Sequence, residues 1–175
     1  MLFQYVRNAD LGPLYDALDA IGLATPNIGT LADMICCPGL DYCSLANATS
    51  IPVAKEIHER FADLDDIYDL GQVDIKMSGC INACGHHHMG HIGILGISKR
   101  GEEFYQIAVG GNVGELAVTD ARTAEIIGPA VSREEVVNTI ERLLDCYRDQ
   151  RTGTESFIET LDRVGLTPFQ ERAYV

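Results

Sequence analysis

Apolar and polar positions along this chain follow two periods, and the switches between them mark out its elements. Leu2–Val6 reads as a strand with almost nothing before it. Asp10 is placed to cap a helix whose Leu14, Leu18 and Ile21 share one face, and Gly22 stands where that helix would stop. A Thr-, Pro-, Asn- and Gly-rich connection over 24–34 leads into a cysteine segment. Ser44 to about Leu64 is expected to be helical, with Val53, Ile57 and Phe61 four apart, and Pro52 allows a fresh start after Ser50 that divides it in two. Val73–Met77 alternates as a short strand, and Ile92–Ile97 and Phe104–Val109 flank a Lys99-Arg100-Gly101 turn as a hairpin. Ser132-Arg133-Glu134-Glu135 has the form of a capping box opening a helix that turns Val136, Ile140, Leu143 and Tyr147 inward. A last helix, Phe157 to Val164, carries Phe157, Ile158 and Leu161 and ends at Gly165. The sum is an α+β fold, a mostly antiparallel sheet with flanking helices.

Length and composition add bounds. With 175 residues, 46% of them apolar, the chain can bury a core as one domain of ordinary size. Its apolar stretches are broken by charge or glycine well short of the roughly 18 residues a membrane span needs. Met1-Leu2-Phe3-Gln4-Tyr5-Val6-Arg7 lacks the basic flank and apolar core of a signal peptide, so the cytoplasm is the expected compartment. A chain that opens directly on a strand reads as a piece of something longer. Thirteen Lys and Arg against 26 Asp and Glu leave a net charge of −13, a surface that repels phosphate backbones and argues against nucleic acid. It also repels a small anionic substrate unless a basic pocket intervenes. The cations are scattered (Arg7, Lys55, Arg60, Lys76, Lys99, Arg100 and a C-terminal set), and no such cluster is visible.

Six cysteines without an export signal point to metal or catalysis rather than disulfides. Four fall in two pairs, Cys37-x5-Cys43 and Cys80-x3-Cys84, with 36 residues between them. A cubane cluster takes one soft thiolate per iron, and four cysteines on loops supply that. Gly39, Gly79 and Gly85 beside them let backbone close around a compact inorganic core with amide groups turned to sulfur. A structural zinc site also takes four thiolates, but its pairs are usually two to four residues apart, which Cys37-x5-Cys43 exceeds. Cys36 could replace Cys37 as a ligand, although the five-residue spacing favours Cys37; Cys146 reads as a packing residue. His86, His87, His88 and His91 could be metal ligands or a proton relay, but ordinary loop histidines are the commoner reading. Tyr42 could lie against a macrocycle, with the core as its expected place.

The segments Cys37-Pro38-Gly39-Leu40-Asp41-Tyr42-Cys43-Ser44-Leu45-Ala46 and Ser78-Gly79-Cys80-Ile81-Asn82-Ala83-Cys84-Gly85 resemble the signature of the sirohaem-dependent nitrite and sulfite reductases. So does the continuation His91-Ile92-Gly93-Ile94-Leu95-Gly96, followed by Gly110-Gly111. The resemblance implies that Cys37, Cys43, Cys80 and Cys84 hold one 4Fe–4S cluster. It implies that Cys84 also bridges to the sirohaem iron, with Asn82 and Gly85 beside it in the cofactor site. It divides the chain into the end of a ferredoxin-like repeat at 1–23, a sirohaem- and cluster-binding domain at 24–150, and a C-terminal helix and tail at 151–175. Ile81 stands where the family often has Pro, and His91 where Asp is common.

By that resemblance the whole protein is a bacterial assimilatory sulfite reductase haemoprotein that reduces sulfite to sulfide by six electrons. The alternative in the same family is nitrite reductase. A cluster-carrying electron-transfer module and a zinc-stabilised interaction domain are the readings outside it. Family members bind their anionic substrate with basic residues from an N-terminal half. Its absence from this stretch implies an inactive fragment, with no catalytic residue beyond the cofactor ligands. Whether the chain alone holds either cofactor stays open. Implied partners are the missing half and a ferredoxin or flavoprotein electron donor. Apolar surface left bare between the halves would favour a homodimer.

Overall fold

The computed structural model describes residues 3–114 and 120–175. Along the chain come α1 (Leu11–Asp19), β1 (Ile35–Cys36), α2 (Ile51–Arg60), α3 (Leu64–Leu70), β2 (Ile75–Ser78), β3 (Ile92–Lys99) and β4 (Glu102–Val109). They are followed by β5 (Glu125–Ile126), β6 (Val131–Ser132), α4 (Val136–Gln150), α5 (Phe157–Val164) and α6 (Thr167–Ala173), with short 3-10 turns at Asn8–Asp10 and His87–Met89.

The hairpin forms as its sequence predicts. Arg100 and Gly101 take positive φ, 57° and 87°, the primed turn whose twist matches that of paired strands. From it β3 and β4 run antiparallel, from Lys99 opposite Glu102 to Ile92 opposite Val109. On the far side of β3 the pairing changes direction: β2 joins it parallel, and β1 joins β2 parallel. The sheet is therefore α/β in character at the β1–β2–β3 end and antiparallel at the other, where β4 takes β5 and β6 at its two ends. Ile75 and Met77, Ile92 and Ile94, and Tyr105, Ile107 and Val109 are buried toward the helices. Against them pack Val53 and Ile57 of α2, Leu70 of α3, and Val136, Ile140, Leu143, Leu144 and Tyr147 of α4. Phe157 and Leu161 of α5 and Phe169 of α6 share this core. The Tyr147 hydroxyl is satisfied there by the carbonyls of Leu70 (3.2 Å) and Glu155 (2.9 Å).

Several local expectations give way to tertiary pairing. Of the N-terminal strand, Leu2 lies outside the described residues, and Phe3–Val6 forms no strand. Helix α1 ends at Asp19 and buries none of its residues; Ile21 is 67% exposed. Ser44–Thr49 is loop rather than helix, because the Asn47 and Ala48 amides are taken by the Gly79 carbonyl (2.8 and 3.1 Å). A helix does start at Ile51, beside Pro52, but the two helices divide elsewhere: what precedes Ile51 is loop, and the break falls at 61–63, between α2 and α3. The Ser132 box does not form. Ser132 is used in β6 opposite Phe104, and α4 opens after Glu135 without a side-chain cap. A capping box does form at Ser156, whose hydroxyl accepts from the Glu159 amide (3.3 Å) while the Glu159 carboxylate accepts from the Ser156 amide (2.8 Å).

Candidate metal centre

All four paired cysteines lie on two loops at the β1–β2 end of the sheet. The Cys37 amide donates to the Met77 carbonyl (3.1 Å), so β1 delivers the first loop as β2 delivers the second. The first loop folds back on itself: Cys43 donates to the Gly39 carbonyl (2.9 Å), Leu40 to that of Ala48 (3.0 Å), and Gly39 bridges Thr49. Gly39 has φ +57°, and a Cβ there would lie 2.5 Å from Ser50 Oγ. A Cβ on Gly79 would fall 2.8 Å from Gly39 Cα, so the two loops touch only because both positions lack side chains. The contact places the Gly79 amide 3.1 Å from Cys37 Sγ, donating to the sulfur.

The second loop is shaped by backbone. Ala83 and His86 both sit at φ 55°, the left-handed region that side chains disfavour, on either side of Cys84. Between them Gly85 is wedged against β2: its amide donates to Ser78 Oγ (3.0 Å), and a Cβ would lie 1.9 Å from the Met77 carbonyl oxygen. Cys80 is buried, Cys37 and Cys43 are half-buried, and Cys84 is exposed, as is its neighbour Asn82. None is in a disulfide. Leu40, Tyr42, Leu45 and Ile81 are exposed on these loops; Tyr42, expected in the core, is 85% exposed.

The remaining candidates separate cleanly. Burial, helped by Cys37 and Asp41, pushes the Cys36 thiol up to about 11, and that thiol donates to the Cys37 carbonyl (3.1 Å). Cys146 is buried in α4, and burial raises its thiol as well. His86 and His88 are exposed. His87 is 3% exposed, with both ring nitrogens unpartnered among the described residues, and burial beside the His88 ring pushes it down to about 4. His91 is a structural clasp: Nδ1 accepts from the Asp74 amide (3.2 Å), the ring stacks on Phe157, and burial holds it below its ordinary range.

Two carboxylates that sequence reasoning missed hold the first loop in place. Asp41 Oδ2 accepts from the amides of Ser50 and Ile51 (3.2 Å each), capping α2 from across the loop. Glu103 Oε2, on β4, accepts from the Thr49 amide (2.9 Å), the Thr49 hydroxyl (2.8 Å) and the Tyr105 hydroxyl (2.7 Å). Partial burial pushes the Glu103 carboxyl up, but these hydrogen bonds outweigh it and hold the group below the ordinary carboxylate range. Neither contact is local, so no sequence spacing announces it.

Of the 13 cations in the chain, ten are committed to ion pairs, among them Arg133 with Glu56, Arg151 with Asp69, Arg163 with Glu155 and the buried Lys76 with Asp74. Among the described residues no three His, Cys, Asp or Glu side chains converge as they would around a single ion. A cubane carries its thiolates on separate irons and asks for a wider setting. The donor set fits that group: four unbridged thiols on two adjoining loops, with a backbone amide already turned to one sulfur.

Fold and site together define a domain that offers thiolates from two interlocked loops at the parallel end of a mixed sheet. The chain belongs to the nitrite and sulphite reductase 4Fe-4S domain family, whose model matches residues 29–174. It is 26% identical over 153 residues to a sulfite reductase (ferredoxin) 1 of Mycolicibacterium paratuberculosis, covering 82% of this chain and 27% of that protein. It is 27% identical over 166 residues to a nitrite reductase (NAD(P)H) of Bacillus subtilis, covering 94% and 19%. The fold is similar to that of the Mycobacterium tuberculosis NirA protein, with a TM-score of 0.72 and 23% identity over 94% of this chain and 31% of that one. The chain thus spans about a quarter of the length of the sulfite reductases of Mycolicibacterium paratuberculosis and Bacillus pumilus that it matches. No helix among the described residues is long and apolar enough to cross a membrane.

Proposed function

We propose that this chain is the cofactor-holding part of a cytoplasmic sulfite reductase, with Cys37, Cys43, Cys80 and Cys84 as the ligands of a 4Fe–4S cluster. The observation that carries the reading is the interlock of the two cysteine loops through Gly79, whose amide meets Cys37 Sγ and whose carbonyl binds Asn47 and Ala48. Bound by these four cysteines, the cluster would supply one-electron transfer to a sirohaem for the reduction of sulfite to sulfide. Cys84 suits the bridge to the haem iron, being the exposed member of the four. Asn82 and Gly85 flank that position, and the apolar side chains of Leu40, Tyr42, Leu45 and Ile81 give a macrocycle a dry surface.

Anion binding comes from elsewhere in this reading, because ten of the 13 cations here are spent on internal ion pairs. The chain alone is therefore inactive. It needs an N-terminal half, joined through residues 1–23 as the end of a ferredoxin-like repeat, and a ferredoxin or flavoprotein donor. Nitrite is the alternative substrate, favoured by the likeness to a nitrite reductase of Bacillus subtilis. Anaerobic purification with iron and acid-labile sulfide analysis tests the ligand assignment. About four of each per chain in the wild type, lost in Cys80→Ser, is the expected result. Stoichiometric zinc without sulfide would overturn it.

A further inference from the structure

Ser50 stands at the N-cap of α2, where a serine hydroxyl ordinarily accepts from an amide of the first turn. Here it makes no such bond. Asp41 takes two other amides at this helix end, those of Ser50 itself and of Ile51. The Ser50 side chain is nevertheless completely buried, at 0% exposure, and a buried hydroxyl needs a partner. Its partner among the described residues is Cys37 Sγ, 3.9 Å away. The surroundings have been cleared for that approach: a Cβ on Gly39 would lie 2.5 Å, and one on Gly79 2.9 Å, from Ser50 Oγ.

We propose that Ser50 is a positioning residue for the metal centre, its hydroxyl donating to the Cys37 sulfur alongside the Gly79 amide and thereby raising the reduction potential of the cluster. The inference rests on the ligand assignment above. As a thiol, Cys37 is a weak acceptor, and a contact of 3.9 Å is long even for sulfur. As a thiolate bound to iron it carries charge, and charge-assisted hydrogen bonds are shorter and stronger. Two donors on one sulfur stabilise the reduced, more negative cluster more than the oxidised one. The hydroxyl is free for this because it makes no bond to the first turn of α2, where Pro52 has no N–H to offer it.

The test uses the full chain reconstituted anaerobically with ferrous iron and sulfide, and titrated potentiometrically with the reduced cluster read by electron paramagnetic resonance. Ser50→Ala should assemble the same iron and sulfide but be harder to reduce. A tenfold change in the reduction equilibrium corresponds to a shift of about 59 mV for one electron. Ser50→Thr, which keeps the hydroxyl, should return the potential toward the wild-type value. In the metal-free chain Asp41→Ala should lower the unfolding midpoint while Ser50→Ala leaves it in place, separating the cap from the donor. An unshifted potential in Ser50→Ala, or a midpoint lowered as far as in Asp41→Ala, overturns the proposal and leaves the ligand assignment intact. A wild-type chain that takes up no iron and sulfide overturns both.

Discussion

The two cysteine loops reach the same end of the sheet by different means. The first, 37–50, is long and is held by two side-chain carboxylates, its own Asp41, which accepts from amides at the start of α2, and Glu103 on β4. The second, 79–86, is short and is held by its own backbone: two left-handed residues, Ala83 and His86, and a glycine pressed against the Met77 carbonyl. The first kind of support depends on ionised carboxylates. The second depends on conformations that only a finished strand β2 makes worth holding. The loops should therefore fail under different insults.

The largest effect is expected at Gly85. Ala at this position drives a methyl group into backbone, and the chain should lose about 3 kcal/mol or more in denaturant unfolding. An effect under about 1 kcal/mol would mean that the second loop is looser than its geometry implies.

Next comes Glu103→Ala, which strips the partner from the Thr49 amide and should cost about 1–3 kcal/mol. Amide exchange at Thr49 should quicken while exchange at Gly85 does not. Equal quickening at both would erase the distinction between the loops.

Acid should likewise separate the first loop from the segment His87–His91 that follows the second. His87 and His91 are held below their ordinary range in the fold, His87 at about 4, so between about pH 6.5 and 4 the unfolded chain takes up protons that the native chain refuses. Their contribution is complete above that window and is lost as pH falls through it. Glu103, also depressed, keeps its contribution until the pH drops below the ordinary carboxylate range near about 4.3. Exchange along His87–His91 should therefore rise first and at Thr49 later; the reverse order would refute this ordering of the two segments.

The smallest effect is a gain. Ala83→Gly relieves a left-handed residue and should stabilise the chain by up to about 1 kcal/mol, where Ala48→Gly in the first loop should not.

What could be read in advance was whatever the chain decides locally. The hairpin at Arg100-Gly101, the stop at Gly165 and the spacing of the thiols all lie within a few residues of their causes. The helical spacing of Val53, Ile57 and Phe61 does not extend back through Ser44–Thr49, and nothing nearby shows that the Gly79 carbonyl will claim two of that segment's amides. Ser132 looked like a cap until Phe104 took it into the sheet. The parallel pairing of β1 to β2 and the α6 helix went unforeseen, the first because a two-residue strand has no period to detect. The thiols of the candidate site were legible. Their supports, Asp41, Ser50 and Glu103, were not, because each acts on a residue distant in sequence.

The short strand β1 has a kinetic consequence. Joining Ile35 to Lys76 closes a long crossover that contains α2, α3 and the whole first loop, and that closure costs entropy before the two-residue ladder returns anything. Such a step belongs late in folding, after the hairpin and its helices have collapsed. The half-sites should meet only when the rest of the domain is already native, so the competence to receive iron reports a completed fold rather than seeding one.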